Sequence, residues 1–253
     1  MAKIVFISGA TSGIGEACAL KFAESGYSLI INGRREERLN KLAESLTATY
    51  NVKVKTLAFD VRNKDEVSKS IDSLGKDWKK IDILVNNAGL SLGLNTIDEG
   101  LIEDWENMID TNVKGLLYVS KKIIPLMIEN KSGQIINIGS IAGREVYPKG
   151  NVYCASKHAV DAITKGMRID LLPHGIKVSQ ISPGAAETEF SLVRFKGDQQ
   201  AADKVYEGFT PLSGKDIAEI VVFTAGLPDH VCINDLLVMP KAQATASQIQ
   251  KKI

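Results

Sequence analysis

The sequence has few of the features that mark secreted, metal-binding or nucleic-acid-binding proteins. It contains three cysteines and three histidines in 253 residues, with no Cys-x-x-Cys pair and no ligand spacing between them. We therefore expect free thiols and no protein-bound metal. The formal net charge is +1, so no nucleic-acid or membrane-surface partner is predicted. The lack of a secretory leader or a long apolar run favours a cytoplasmic location.

What the chain does have is a regular alternation of short apolar runs and longer amphipathic stretches, undivided by any repeat or linker. The β-branched runs cover residues 4–7, 28–31, 52–59, 81–85, 134–138, 176–181 and 235–239, and the helical patterns cover 15–24, 36–46, 105–128, 152–172 and 215–225. This alternation predicts one α/β domain over residues 1–253, a doubly wound Rossmann-type fold with about seven parallel strands and helices on both faces. Ligands should bind at the carboxyl ends of the strands.

A glycine-rich loop follows the first predicted strand and opens into a helix. It reads Gly9-Ala10-Thr11-Ser12-Gly13-Ile14-Gly15. Glycine lets the backbone approach a phosphate, and a helix N-terminus offers free amides and a positive dipole end. The loop is expected to bind the phosphates of a dinucleotide. The alternative is a tight turn between strand and helix that binds no ligand.

Arg34 and Arg35 follow the second predicted strand, where an acidic residue would hold the ribose of NAD. Guanidinium groups instead form forked, charge-assisted hydrogen bonds to a phosphate. We therefore predict NADP (NADPH) as the cofactor. The alternative is a solvated start of the next helix.

Two further strand ends carry candidate cofactor contacts. Asp60 could accept a hydrogen bond from the adenine amino group, while Val61 could pack on the ring. Asn87, Ala88 and Gly89 form a small turn that could lie under the adenine ribose. Each cluster alone is equally typical of an ordinary turn, so the prediction depends on their sharing one edge of the sheet.

The predicted chemistry depends on Tyr153 and Lys157, which lie one helical turn apart and hence on one helix face. A nearby ammonium favours the phenolate, which makes the tyrosine a candidate acid/base for an alcohol–carbonyl interconversion. Ser140, at the end of the preceding strand, could polarise the substrate oxygen. Asn112 could hold a water that links Lys157 to solvent, or could be a simple exposed helix residue.

Together these motifs resemble the short-chain dehydrogenase/reductase family over nearly the whole chain. They are Gly9-x-x-x-Gly13-x-Gly15, Asn86-Asn87-Ala88-Gly89, Asn112, Ser140, Tyr153-x-x-x-Lys157 and Pro183-Gly184-x-x-x-Thr188. The resemblance implies that Tyr153 is the acid/base and that Lys157 holds the nicotinamide ribose and lowers the tyrosine pKa. It also implies that Ser140 positions the substrate and that Asn112 completes a proton relay. Pro183, Gly184 and Thr188 would contact the nicotinamide end.

Residues 185–214 should form a lid over the crevice. This segment, with the sequence around Ser140, resembles the NADP-dependent 3-hydroxy acid dehydrogenases, a subgroup acting on serine, L-allo-threonine and similar small acids. A small acid must be bound largely through its carboxylate, so Arg144 and Arg194 are candidate partners. A salt bridge between lid and core is the alternative for each. Tyr147 could also line the pocket.

Three other readings stay open at this point. A sulfonate-bearing aldehyde would satisfy the same cationic site, so a sulfoacetaldehyde reductase or a broad-range carbonyl reductase is an alternative. A catalytically silent NADP-binding scaffold or sensor would keep the fold without the chemistry. The resemblance also implies a homotetramer, with the two longest helical stretches pairing between subunits.

Overall fold

The computed structural model describes residues 2–251. Within them, seven parallel strands form one sheet in the order β3-β2-β1-β4-β5-β6-β9. Their bounds are β1 Ile4–Ile7, β2 Ser28–Gly33, β3 Val54–Ala58, β4 Ile81–Asn86, β5 Gln134–Ile138, β6 Lys177–Pro183 and β9 Asp235–Val238. The predicted fold class is confirmed. The order reverses direction between β1 and β4, and doubly wound sheets bind ligands at that position.

Helices cover both faces of the sheet because each presents an apolar stripe to it. They are α1 Gly13–Glu24, α2 Glu36–Tyr50, α3 Lys64–Asp72, α4 Ile102–Ile109, α5 Leu116–Glu129, α6 Asn151–Leu171 and α9 Gly214–Ala225. Phe22 and Leu39 are fully buried on one face, and Ile123 and Met127 are fully buried on the other. The five inner strands are almost wholly buried on both sides, which explains their nearly continuous apolar sequence, whereas the edge strands β3 and β9 are partly exposed.

The helix predicted over 105–128 is observed over 102–129, and it is not α-helical throughout. A π-helical turn, Asp110–Gly115, joins α4 to α5. π-helical turns are rare in proteins, but those that do occur are often found at functional sites. Asn112 lies in this turn and is buried, so the reading of an exposed helix residue is wrong.

The segment predicted as a lid has structure of its own. It contains the short helices α7 Glu189–Arg194 and α8 Gln199–Tyr206. Two-residue strands, β7 Ala186–Glu187 and β8 Leu212–Ser213, pair in parallel at its two ends. After β9, residues 241–251 fold back on themselves through a bridge between Gln243 and Ile249. From residue 2 to residue 251, no helix is long and apolar enough to cross a bilayer.

Candidate active site

A cavity of about 450 Å³ lies at the carboxyl ends of the strands, beneath the lid segment. Most of the predicted site residues line it: Gly9, Thr11, Ser12, Gly13, Ile14, Arg34, Arg35, Asp60, Val61, Asn87, Ala88, Gly89, Ser140, Tyr147, Tyr153, Lys157, Pro183, Gly184, Thr188 and Arg194. Gly15, Asn112 and Arg144 are outside this lining. The central expectation, that the glycine loop and the Tyr–Lys pair share one crevice, agrees with the geometry.

The glycine loop is built so that only glycine fits at its closest approaches. Gly9 has a φ of +69°, and a Cβ there would lie 2.9 Å from the Cα of Ala88. A Cβ on Gly15 would lie 2.2 Å from the carbonyl oxygen of Gly9. Gly15 therefore serves helix–loop packing, which explains why it does not line the cavity.

Asn87 connects the glycine loop to the end of β4. Its side-chain amide donates to the carbonyl oxygens of Ser8 at 2.9 Å and Gly9 at 3.0 Å. In return, the Ser8 hydroxyl accepts from the backbone amides of Asn87 and Ala88. These bonds fix the two loops against each other, so this wall of the crevice is defined by contacts within the chain.

The two arginines after β2 differ in their surroundings. The Arg34 side chain is 60% exposed, and one of its nitrogens lies 3.9 Å from the carboxylate of Asp60. Arg35 donates from Nη2 to the Ser12 hydroxyl at 2.9 Å and to the Thr11 hydroxyl at 3.0 Å. A guanidinium is thus held directly beside the glycine loop, where it could form hydrogen bonds to the 2′-phosphate of NADP.

Asp60 lies at the cavity edge with its carboxylate already engaged. It accepts from Nε and Nη2 of Arg62, at 3.0 and 2.7 Å. Burial alone would raise the pKa of Asp60, but the hydrogen bonds and charge of Arg62 outweigh it and hold the pKa below its usual range. Asp60 is therefore a fixed, ionised acceptor at the position where the sequence predicts an adenine contact.

Tyr153 and Lys157 project from the first turns of α6 into the cavity, and both are buried. The Lys157 ammonium donates to the carbonyl oxygen of Ile138, at the end of β5, at 2.9 Å. This bond positions the lysine against the sheet and leaves it further donors for a ligand.

The electrostatics of this pair differ from the expectation. Burial raises the pKa of the Tyr153 phenol above its ordinary range, Tyr147 adds to the increase, and Ser140 and Arg194 act against it. Burial also lowers the pKa of Lys157 to about 8. Desolvation disfavours both charged forms, so the protein alone does not produce the lowered tyrosine pKa that the resemblance implies.

Asn112 is buried in the π-helical turn, where a Cβ on Gly89 would meet both its side-chain oxygen, at 3.2 Å, and the Lys157 Nζ, at 3.6 Å. Its role in a proton relay stays a prediction. Its amide oxygen accepts from the backbone N–H of Leu90 at 2.8 Å, and its amide nitrogen donates to the carbonyl oxygen of Leu90 and the hydroxyl of Ser156. The side chain therefore joins the loop after β4 to the helix that carries Tyr153. These contacts make it a positioning residue for α6.

Ser140 follows β5 directly and lies in extended backbone at the cavity wall. Its hydroxyl accepts from the backbone amide of Ala142 at 3.1 Å, and it lies 3.5 Å from the carbonyl oxygen of Pro183. Ser140 therefore faces the same space as Tyr153, between the ends of β5 and β6.

The two arginine candidates for a substrate anion are separated by the structure. Arg144 forms an ion pair with Asp235 and does not line the cavity, so this candidate is placed outside the site. Arg194 lies inside it, with its guanidinium 5.5 Å from the ring centre of Tyr147 and 5.7 Å from that of Tyr153. Its Nη2 donates to the Tyr147 hydroxyl at 2.6 Å.

Several cavity residues were missed from the sequence. Phe190 and Tyr206 come from the lid helices, and the Phe190 ring lies 5.5 Å from the Tyr153 ring. Gln243, Ala246 and Ile249 come from the chain after β9. None belongs to a spaced motif, and the only available signal was the position of residues 185–214 after a strand end.

The tail residues form part of the cavity wall through two polar contacts. The Gln243 side-chain oxygen accepts from the backbone amide of Ala185 at 2.7 Å. The backbone amide of Ala246 donates to the carboxylate of Glu145 at 2.7 Å. The chain after β9 is thus attached both to the start of the lid and to the loop after Ser140.

Comparison with known proteins agrees with this geometry. Residues 3–198 match the family model described as short chain dehydrogenase. The chain therefore belongs to the short-chain dehydrogenase family.

Particular relatives extend the similarity over almost the full length. The chain is 48% identical to sulfoacetaldehyde reductase 2 of Chromohalobacter salexigens, over 96% of both chains. It is 46% identical to the NADP-dependent 3-hydroxy acid dehydrogenase YdfG of Salmonella typhi, over 96% of this chain and 97% of the relative. A solved structure of the closed form of serine dehydrogenase complexed with NADP+ superposes with a TM-score of 0.91 at 43% identity, covering 99% of this chain and 100% of that one.

Proposed function

We propose that the protein is an NADP-dependent dehydrogenase that interconverts a small 3-hydroxy acid, such as serine or L-allo-threonine, with its 3-oxo product. The observation that carries this proposal is Arg194, a guanidinium inside the cavity and beside the ring of Tyr153. A substrate with a carboxylate can pair with Arg194 while its hydroxyl reaches the phenol. The names of the relatives are consistent with this class of substrate.

The residues around the cavity fit NADP. Gly9 and Gly13, both with positive φ, would let the backbone come close to the cofactor phosphates. Arg34 and Arg35 line the same cavity and would bind the 2′-phosphate. Asp60, Val61, Asn87, Ala88 and Gly89 would hold the adenosine side, and Pro183, Gly184 and Thr188 the nicotinamide side. When bound, the cofactor supplies or accepts the hydride.

The chain's own residues would then handle the substrate and its proton. Ser140 orients the substrate oxygen, and Tyr153 takes the alcohol proton during oxidation and returns it during reduction. Lys157 is held by the Ile138 carbonyl and can donate to the cofactor ribose. Burial keeps the phenol protonated until a further positive charge enters the site, and the oxidised nicotinamide ring carries one.

A sulfoacetaldehyde reductase is the second candidate, because a sulfonate would satisfy Arg194 as well as a carboxylate does and the 48% identical relative bears that name. A broad-range carbonyl reductase would not require a guanidinium beside Tyr153. A silent scaffold would have no use for Ser140, Tyr153 and Lys157 together in one cavity.

We also propose that the protein acts as a homotetramer in the cytoplasm. Leu117 on α5, Ile169 at the end of α6 and Leu172 just beyond it are 40%, 73% and 75% exposed, so these two helices present apolar side chains away from the sheet. Pairing of these helices between subunits would cover them.

The test is a substrate panel with NADP or NADPH, comparing serine, threonine isomers, other 3-hydroxy acids, isethionate with sulfoacetaldehyde, and uncharged alcohols. We expect the 3-hydroxy acids to give the highest kcat/KM. Arg194→Met should reduce kcat/KM for the acids by about 10- to 100-fold, since a hydrogen bond to a charged group contributes about 1.5–3 kcal/mol. Uncharged alcohols should lose less, since only the effect of Arg194 on the pKa of Tyr153 is removed for them.

Arg144→Met is the matched control, because Arg144 is paired with Asp235 outside the cavity. A preference for uncharged alcohols, or an equal loss in both arginine variants, would contradict the anion-binding role of Arg194. A preference for the sulfonate pair with the same Arg194 dependence would select the second candidate.

A further inference from the structure

Glu189 is the first residue of α7, at the front of the lid, and it contacts two arginines of the cofactor side. Its carboxylate lies 2.9 Å from Nη1 of Arg35 and 2.7 Å from Nη1 of Arg38. Thr188, directly before it, caps α7 through its hydroxyl and packs against Gly13. The lid is therefore joined to the glycine-loop side of the cavity through a carboxylate.

Arg35 is the shared group in this arrangement. Its Nε and Nη2 donate to Thr11 and Ser12, and its Nη1 donates to Glu189. A guanidinium has five N–H donors in a fixed fork, so most of them already have protein acceptors. A 2′-phosphate that binds Arg35 must take donors that Glu189 now occupies or must lie close to its carboxylate.

The Glu189 charge is present at neutral pH and acts on its surroundings. Burial alone would raise the pKa of Glu189, but hydrogen bonds from Arg38 and Arg35 together lower it below its usual value. The same charge contributes, after burial, to the raised pKa of Glu16. A negative group entering beside Arg35 would be repelled in the same way.

We propose that Glu189 is a specificity-determining residue whose carboxylate competes with the 2′-phosphate of NADP for Arg35, and so limits the preference for NADP over NAD. This inference rests on the proposed NADP dependence. Competition for the Arg35 guanidinium is the claim, and repulsion between the two like charges without Arg35 would be a different mechanism with the same sign.

The experiment measures the Kd of NADPH and NADH by the change in nucleotide fluorescence, in the wild type and in Glu189→Gln. The amide keeps the size of the side chain and removes its charge. We expect Glu189→Gln to lower the Kd of NADPH by about 3- to 10-fold, within about 1.4 kcal/mol, and to change the Kd of NADH less than twofold. Glu187→Gln, an exposed carboxylate two residues earlier, should change neither.

Repeating Glu189→Gln in an Arg35→Ala background separates shared use of Arg35 from simple repulsion. The gain for NADPH should disappear there, because the contested guanidinium is gone. A gain that persists, a weaker affinity for NADPH, or an equal change for both nucleotides would overturn the proposal. Wild-type protein that binds NADPH no better than NADH would contradict the proposed NADP dependence itself, which is a different outcome from an inert Glu189→Gln.

Discussion

The floor and the roof of the cavity are built by different means. The floor comprises the glycine loop, the ends of β4 and β5 and the start of α6, and its polar side chains are buried or half-buried and bonded to backbone: Asn87 to Gly9, and Lys157 to Ile138. The roof comprises residues 185–214 and 241–251, which are held by side-chain pairs such as Glu189 with Arg38 and by single bonds such as that of Gln243 to the Ala185 amide. The floor is fixed by the fold, whereas the roof depends on a few polar contacts between distant segments.

The largest expected effect is a loss of kcat, and it comes from a residue of the floor. Tyr153→Phe should reduce kcat by about 10²- to 10⁴-fold, the usual contribution of an acid/base group. Affinity for NADPH should remain, because the phenylalanine ring fills the same buried space. Turnover and nucleotide fluorescence measured on the same sample check this, and substantial activity in Tyr153→Phe would remove the phenol from the mechanism.

A smaller effect is expected on the stability of the floor. In Gly15→Ala the new methyl group would lie 2.2 Å from the Gly9 carbonyl oxygen and 2.4 Å from the Asn87 amide. Overpacking of this kind costs about 1–3 kcal/mol, so urea unfolding should begin at lower denaturant.

Gly166→Ala is the matched control for that measurement. Gly166 lies inside α6, and a Cβ there meets nothing within 4 Å. Alanine should stabilise the helix by about 0.5–1 kcal/mol. Equal shifts of the unfolding midpoint in both variants would contradict the close approach at Gly15.

The smallest effect is expected from the roof. Gln243→Ala removes the acceptor for the Ala185 amide and loosens the attachment of the tail to the lid. Because this contact holds a wall rather than a reacting group, we expect KM for substrate to rise a few-fold, corresponding to about 1 kcal/mol, with kcat nearly unchanged. Gln248→Ala, with an exposed side chain on the same tail, should leave KM unchanged. A large loss of kcat in Gln243→Ala would mean that the roof takes part in the chemistry.

The same contrast explains how much could be predicted from the sequence. Most floor residues lie at a strand end or in the helix that follows one, and the alternation of strands and helices predicts that these ends share one edge of the sheet. The sequence therefore predicts one crevice for Ser140, Tyr153 and the glycine loop, and the cavity lining agrees. The roles assigned to Arg144 and Asn112 depend on side-chain partners. No residue near Arg144 in the sequence indicates that it pairs with Asp235, which lies far along the chain. A π-helical turn has no characteristic residue spacing, so the sequence does not predict that Asn112 is buried.

The roof residues could not be predicted because their positions depend on contacts between segments that are distant in the sequence. Gln243 reaches the lid only because β9 lies beside β6 and the chain then turns back toward Ala185. No periodic pattern encodes that return. The lid helices were likewise missed, since six to eight residues are too few for an amphipathic pattern to be distinctive.

The π-helical turn between α4 and α5 has one more consequence. One extra residue in a turn advances everything after it by about 100° around the axis relative to a regular helix. Removing a single residue from 110–115 would leave an unbroken α-helix of ordinary composition, yet would swing the amide of Asn112 away from Leu90 and Ser156. The loop after β4 and the helix α6 would then lose the hydrogen bonds that they share through Asn112.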